Sequence, residues 1–336
     1  MKRALFLLPL LATGLPARAE IFDGTIRAEI LDAAAARAAE VRSNLRVRRG
    51  GVLGLFGYNV VPDGAANALS ITRGTTISGD GAKALTLSQF GFGYQVSDSF
   101  PLYLENYLGT ARYDPRTYIT GGAETRRVPM HWNNLALTLG VGWGIQLSEY
   151  WSLTPILNGS AGYAASDVSL LGSFINWRTG REVSALTNQS MSVYGLGGAL
   201  LLGYADFRPE RDIEFQVRYT QIKLETFGDT PRGISGTSTA RTLGFWGRYR
   251  APIGVEAFGR PMRWVSDNSL SLYLGDQREA LGFAWSVKVG AGIEFDIGRH
   301  EFGALGLTLS RVRLMGYYFY GDGGITGASI GIGMSF

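Results

Sequence analysis

Cysteine is absent from all 336 residues, and histidine occurs only twice. Without thiols the chain has neither a disulfide framework nor a thiolate metal site. Two scattered histidines, His131 and His300, do not make a ligand set, and no cofactor or metal is expected. Long apolar runs are also missing: past residue 15, no stretch reaches the roughly 18 apolar residues of a helical membrane span. Blocks of like charge are absent too. The formal net charge of +4 includes Lys2, Arg3 and Arg18, and without these 32 − 3 = 29 basic residues face 28 acidic ones. A nearly neutral chain with no Lys/Arg stripe excludes nucleic acid as a partner.

Those three cations belong to a segment that reads as a cleaved leader. Lys2 and Arg3 precede an apolar stretch from Ala4 to Leu15, and Ala17-Arg18-Ala19 supplies the small-x-small pattern. Residues 1–19 are therefore expected to be a signal peptide, with Glu20 as the new N-terminus. The stretch is too short to span a bilayer, which takes about 20 residues.

What the chain has in abundance is glycine, 47 residues, together with 12% aromatics and a period-two pattern. From 135 to 147 one face carries Leu135, Leu137, Leu139, Val141, Trp143, Ile145 and Leu147. The other carries Ala136, Thr138, Gly140, Gly142, Gly144, Gln146 and Ser148. Residues 283–297 repeat the pattern, with Val287, Val289 and Ile293 opposing Lys288, Gly290 and Glu294. Alternate side chains of a strand point to opposite faces, so each segment has one apolar face and one small, polar face. Strands of a soluble sandwich run about 5–6 residues. These are long enough to cross a bilayer at a tilt, which takes about 9–11 residues. Small residues on the polar face suit an enclosed lumen, and aromatic rings suit interfacial girdles.

The pattern predicts an all-β, transmembrane, antiparallel up-and-down barrel over 51–336. Its strands fall near 67–74, 83–97, 102–113, 134–148, 151–165, 192–206, 213–226, 238–251, 267–275, 282–297, 302–319 and 325–336. Twelve is even, so both chain ends fall on one side. Short connections at 97–102, 148–151, 206–213 and 297–302 mark the periplasmic end. Long ones at 113–134 and 165–192 mark the outer end, and 252–266 stands out as a longish periplasmic turn. The apolar run Val52 to Val61, followed by the turn Pro62-Asp63-Gly64, offers an alternative first strand or an expansion to 14. Alternation slips near Gln89 and Ser310, which reads as two bulges.

Residues 20–50 form a helical lead. Thr25 to Leu45 places Ile26, Ile30, Ala34, Val41 and Leu45 at helical spacing, and the Ala33–Ala36 run favours helix. Such a helix, roughly 30 Å long, either threads the lumen as a plug or hangs in the periplasm as an amphipathic stub.

Extrapolated alternation turns Glu214, Gln216, Arg218, Lys288, Glu294 and Asp296 into the lumen. Pairing of opposite charges across the wall is the first reading, and a polar path for solutes is the alternative. Chemistry is poorly supported. His131, in Met130-His131-Trp132-Asn133-Asn134, has no serine two residues away, as the His-x-Ser-Asn-Gly signature of barrel phospholipases requires. His300 falls in an expected periplasmic turn. Gly195-Leu196-Gly197-Gly198 lies inside a strand pattern and not at a strand-to-helix turn, which argues against phosphate cradling. No enzymatic activity is expected.

The final segment alternates Thr326, Ala328, Ile330, Ile332, Met334 and Phe336 with Gly327, Ser329, Gly331, Gly333 and Ser335. An amphipathic last strand ending in an aromatic residue resembles the signal read by the barrel-assembly machinery, with Ile332, Met334 and Phe336 as its apolar positions. The stretch Pro101-Leu102-Tyr103-Leu104-Glu105-Asn106-Tyr107-Leu108-Gly109, then Ala111-Arg112-Tyr113-Asp114-Pro115, together with Val61-Pro62-Asp63, resembles solitary autotransporter-type outer-membrane barrels. The resemblance implies the outer membrane of a Gram-negative cell, with membrane lipid and lipopolysaccharide as neighbours. It implies no activity: autotransporters carry passengers of hundreds of residues, whereas about 50 precede strand one here. A structural or surface-interaction role is the expectation, ahead of a small-solute channel and a surface lipid hydrolase.

Overall fold

The computed structural model describes residues 51–62, 69–76, 84–114, 116–121, 124–129, 132–167, 190–228, 230, 236–257, 259–281, 283–302, 307–322 and 325–335. The expected signal peptide, the helical lead with its Thr25–Leu45 helix, His131 and Phe336 lie outside the described residues.

A short helix, α1 (Gly51–Val60), precedes the first strand. The strands are β1 (Leu69–Thr76), β2 (Ala84–Gln95), β3 (Leu102–Asp114), β4 (Arg116–Gly121), β5 (Glu124–Pro129), β6 (Trp132–Trp143) and β7 (Ile145–Gln146). They continue as β8 (Trp151–Ser166), β9 (Ser190–Phe207), β10 (Asp212–Phe227), β11 (Thr237–Ala257) and β12 (Arg260–Leu274). A second helix, α2 (Asp276–Leu281), leads to β13 (Trp285–Phe302), β14 (Leu307–Gly321) and β15 (Ile325–Ser335). β4 and β5 form a separate hairpin, and β7 continues β6 along β8. The other twelve strands pair antiparallel with their neighbours, and β1 pairs with β15, so the ring is closed.

Side chains divide by parity as in a lipid-facing wall. Leu139, Leu157, Leu196, Val289 and Ile330 point outward, Leu157 with 73% of its surface free, while Asn158, Glu294 and Asp267 on the inner face are almost fully buried. A water-soluble fold would reverse this, since monomers in water rarely expose continuous apolar area of this extent. Outward aromatic residues gather at the two ends of the wall. At the short-turn end Trp143 stacks edge-on with Phe100, Trp151 lies by Tyr204, and Tyr249 by Trp264. At the long-loop end Tyr194 meets Phe227, and Trp285 meets Tyr320. Along β8, Trp151 and Tyr163 are about 40 Å apart, or roughly 28 Å in height at the ~45° tilt of a membrane strand. That matches an apolar band about 25 Å tall. Among the described residues no helix is long and apolar enough to cross a membrane; the strands do so.

Four sequence expectations need correction. Val52 to Val61 is not a strand but α1 and its exit. Leu53, Phe56, Gly57 and Val60 recur at i, i+3, i+4 and i+7, a helical stripe that packs inside the barrel. Segment 252–266 is not a long turn: β11 runs to Ala257 and β12 starts at Arg260. Pro252 is accommodated because the pairing shifts between Pro252 and Glu256, where Gly254 takes φ +72°. His300 accordingly is not in a turn either, but within β13 opposite Leu309. Pairing runs unbroken through Gln89, which is therefore no bulge. Near Ser310 the register does shift, with the extra residues in β13 between Asp296 and His300, where Gly298 has φ +80°.

Candidate functional site in the barrel lumen

Inside the ring lie α1 and two tiers of polar side chains. Leu53, Phe56 and Val60 form a buried cluster with Trp132, Ala164, Met191, Val193, Leu224 and Ala240. These wall residues lie near the long-loop ends of their strands, so α1 occupies the outer half of the lumen. Its path descends. Phe56 meets Gly162, four residues from the end of β8, whereas Val61 and Pro62 reach Gln216, Arg218 and Trp246 near mid-strand. The N-terminal end of α1 thus faces the long-loop mouth. Gly57 permits this seat: an added Cβ would lie 2.9 Å from the Ala240 Cβ.

A helix leaves its last carbonyls without partners, and the wall supplies them. Gln89 Nε2 donates to the Val61 carbonyl at 3.0 Å and to that of Asn59 at 3.3 Å, and Thr138 Oγ1 donates to the Val60 carbonyl at 2.9 Å. Asn59 Nδ2 donates to Asn134 Oδ1 at 2.7 Å. From the loop side α2 packs against α1. Tyr58 lies edge-on to Tyr273, whose cluster includes Leu281 and Phe283, and Thr242 donates to the buried Gln277 at 2.9 Å.

Below the helix the lumen is spanned by ion pairs. Arg218 on β10 grips Glu105 on β3 with two hydrogen bonds of 2.7 Å, and Asn158 donates to the same carboxylate at 2.6 Å. Arg248 contacts Asp267 through Nε and Nη2 at 2.9 and 2.7 Å, with Trp246 Nε1 on the other oxygen at 2.7 Å. Arg250 bridges Glu214 at 2.9 Å and Glu294 at 3.4 Å. Glu294 also meets Arg313 at 3.2 Å, and Asp212 takes Arg263 and Arg311. In a low-dielectric interior such pairs persist because separating the charges strands each one.

Each residue expected in the lumen can be placed. Glu214, Arg218 and Glu294 sit in these networks. Gln216 and Lys288 line small cavities beside Val61 and Pro62, and the Lys288 ammonium lies 5.5 Å from the Tyr317 ring centroid. Asp296 is apart, half exposed and paired with Arg260 at 3.4 Å. Of the expected assembly residues, Ile332 points outward and Met334 pairs with Val312. Sequence reasoning missed Gln89, Glu105, Asp212, Arg248, Arg250, Asp267 and Arg313. Glu105, Arg248, Arg250, Asp267 and Arg313 lie inside the expected strands, where the same parity rule turns them inward, and Asp212 joins them once β10 starts one residue earlier. Gln89 is polar inside because α1 needs donors, a signal invisible without the helix. Among the described residues no group of His, Cys, Asp or Glu could hold a metal.

Fold and lumen together define a closed, membrane-spanning β-barrel stoppered by a helix of its own chain. The chain is similar to the β domain of the Bordetella autotransporter BrkA, at 14% identity over 81% of this chain and 100% of that one, with a TM-score of 0.43. It is similar also to the translocator domain of NalP from Neisseria meningitidis, at 12% identity, 93% and 98% coverage and a TM-score of 0.42. The transport unit of AIDA-I from Escherichia coli gives 11%, 90% and 97%, and 0.43. Superpositions this loose carry no function across. No family model and no curated protein matches the sequence.

Proposed function

We propose that this chain is an autotransporter-like outer-membrane barrel with a non-catalytic role at the cell surface, presenting there the segment that leads into α1. The observation that carries the reading is the direction of α1. Its N-terminal end faces the long-loop mouth and its C-terminal end is held at mid-lumen by Gln89 and Thr138. α1 is therefore entered from the outer side, while β1 and β15 have their free ends at the short-turn side. The apolar seat of Phe56 and the ion pairs below it oppose free conduction, which ranks the solute channel second. Labelling tests the reading cleanly, because the chain has no cysteine of its own. In intact cells Ser43→Cys should react with a membrane-impermeant maleimide; reaction only after lysis would refute surface presentation.

A further inference from the structure

The outer wall carries one feature that a uniform lipid-facing belt does not need. A shallow furrow crosses the outer faces of β6, β8 and β9, lined by Val141, Trp143, Pro155, Leu157, Gly198 and Leu200 and ending at Tyr219 and Gln221 on β10. It runs along the pairing direction: Val141 is opposite Leu157, Leu157 opposite Gly198, Gly198 opposite Gln221, and Gln221 opposite Arg241. Because Arg241 is in turn opposite Leu274, the last residue of β12, this row climbs to the long-loop end. Its lower end, at Trp143, lies in the short-turn girdle. The furrow therefore rises from the short-turn girdle as far as Gln221, and Arg241 continues the row above it.

At its upper end two cations point outward. Lys223 and Arg241 are both exposed, flanking Gln221 by two residues along β10 and by direct pairing across to β11. Among the described residues neither has a carboxylate partner. Of the acids beside them, Glu225 accepts a hydrogen bond from Tyr194 at 2.9 Å and Asp276 accepts one from the Thr239 N–H, opposite Lys223, at 2.8 Å; Tyr219 donates to Gln221 at 3.0 Å. Tyr194 and Phe227 place this patch at the upper girdle, where headgroups lie. Cations at that level attract anionic lipid, and the apolar furrow below them accepts an extended chain.

We infer that the furrow docks a phosphorylated, multiply acylated glycolipid of the outer leaflet, with phosphate at Lys223 and Arg241 and one acyl chain lying along Leu157, Gly198 and Val141. This rests on the outer-membrane reading above and adds to it a lipid class and a binding site. The test uses the full-length protein in phosphatidylcholine nanodiscs doped with lipid A, read by native mass spectrometry, with heat-modifiable gel mobility reporting insertion separately. One lipid A should remain on the wild-type barrel. The K223Q/R241Q pair should lower retention roughly thirtyfold, as two lost cation–headgroup contacts imply. Leu157→Trp, which fills the furrow without touching the cations, should lower it too, and dephosphorylated lipid A should be retained poorly by the wild type. Equal retention by the charge variant, or of the dephosphorylated lipid, would overturn the site. So would a two-copy species abolished by Leu157→Trp, which would make the furrow a contact between barrels. Loss of heat-modifiability in the wild type itself would overturn the membrane reading and the site together.

Discussion

Glu105 and Arg218 meet across the lumen, from β3 and β10, and neither is exposed enough for water to take the partner's place. Such a pair shows its energetic weight when one partner is removed. Arg218→Met leaves the Glu105 carboxylate among Tyr103, Asn158 and apolar walls, at a cost of about 3–5 kcal/mol. Replacing both charges, as in E105Q/R218M, should recover most of that loss, since the remaining amide can bond Asn158 and Tyr103. Urea unfolding followed by tryptophan fluorescence in micelles checks both expectations; a double variant no better than the single one would count against an isolated pair. The Glu294 site differs, because Arg250, Arg311 and Arg313 share it, so removing any one arginine there should cost less than Arg218→Met.

At the scale of the element, α1 is ten residues long, far below the 12–15 at which isolated helices become marginal in water. It persists because the lumen supplies what an isolated helix lacks: an apolar seat for Phe56 and donors for its last carbonyls. Phe56→Ala should cost about 3–5 kcal/mol, which the short helix cannot spare, so α1 should leave its seat while the closed ring of strands persists. In planar bilayers the variant should show frequent open events against a mostly closed wild type. Gln89→Leu should do the same more weakly, by leaving the Val61 carbonyl unpaired. Unchanged conductance in both variants would mean that α1 is not the barrier. This helix also shows where sequence reading stops. Val52 to Val61 is apolar enough to pass as a strand, and only the enclosing wall makes its helical stripe the one that matters. α2, at six residues, is too short to show a period at all.

For the whole molecule, the closed ring means that every wall residue faces either lipid or lumen. Val289, outward and near mid-wall, should tolerate arginine poorly, at about 2–4 kcal/mol. Val289→Cys should resist aqueous thiol reagents. A Val289→Arg barrel as stable as wild type, together with a reactive Val289→Cys, would show that the two faces are assigned backwards. The neighbouring position should fail for another reason, because a Cβ at Gly290 would sit 2.2 Å from the Tyr317 ring. Assembly adds a further expectation: replacing Phe336 with a charged residue should lower the yield of heat-modifiable barrel, and full yield would speak against a terminal recognition signal.

The sequence alone determined the class of fold and the face on which most residues lie. A strand wall between hydrocarbon and an enclosed lumen imposes two media at a strict period of two, and that period is written in segments such as Leu135 to Leu147. It also located nearly every strand, because turns are short and polar. Only the tertiary structure decided which inward charges meet, since parity fixes a face but neither the height nor the angle at which a partner stands around the ring. Arg218 finds Glu105, and Gln89 finds the end of α1, only once β1 pairs with β15 and the lumen is enclosed. The same closure decided what fills the lumen, because a ten-residue helix has no stable place until the wall surrounds it.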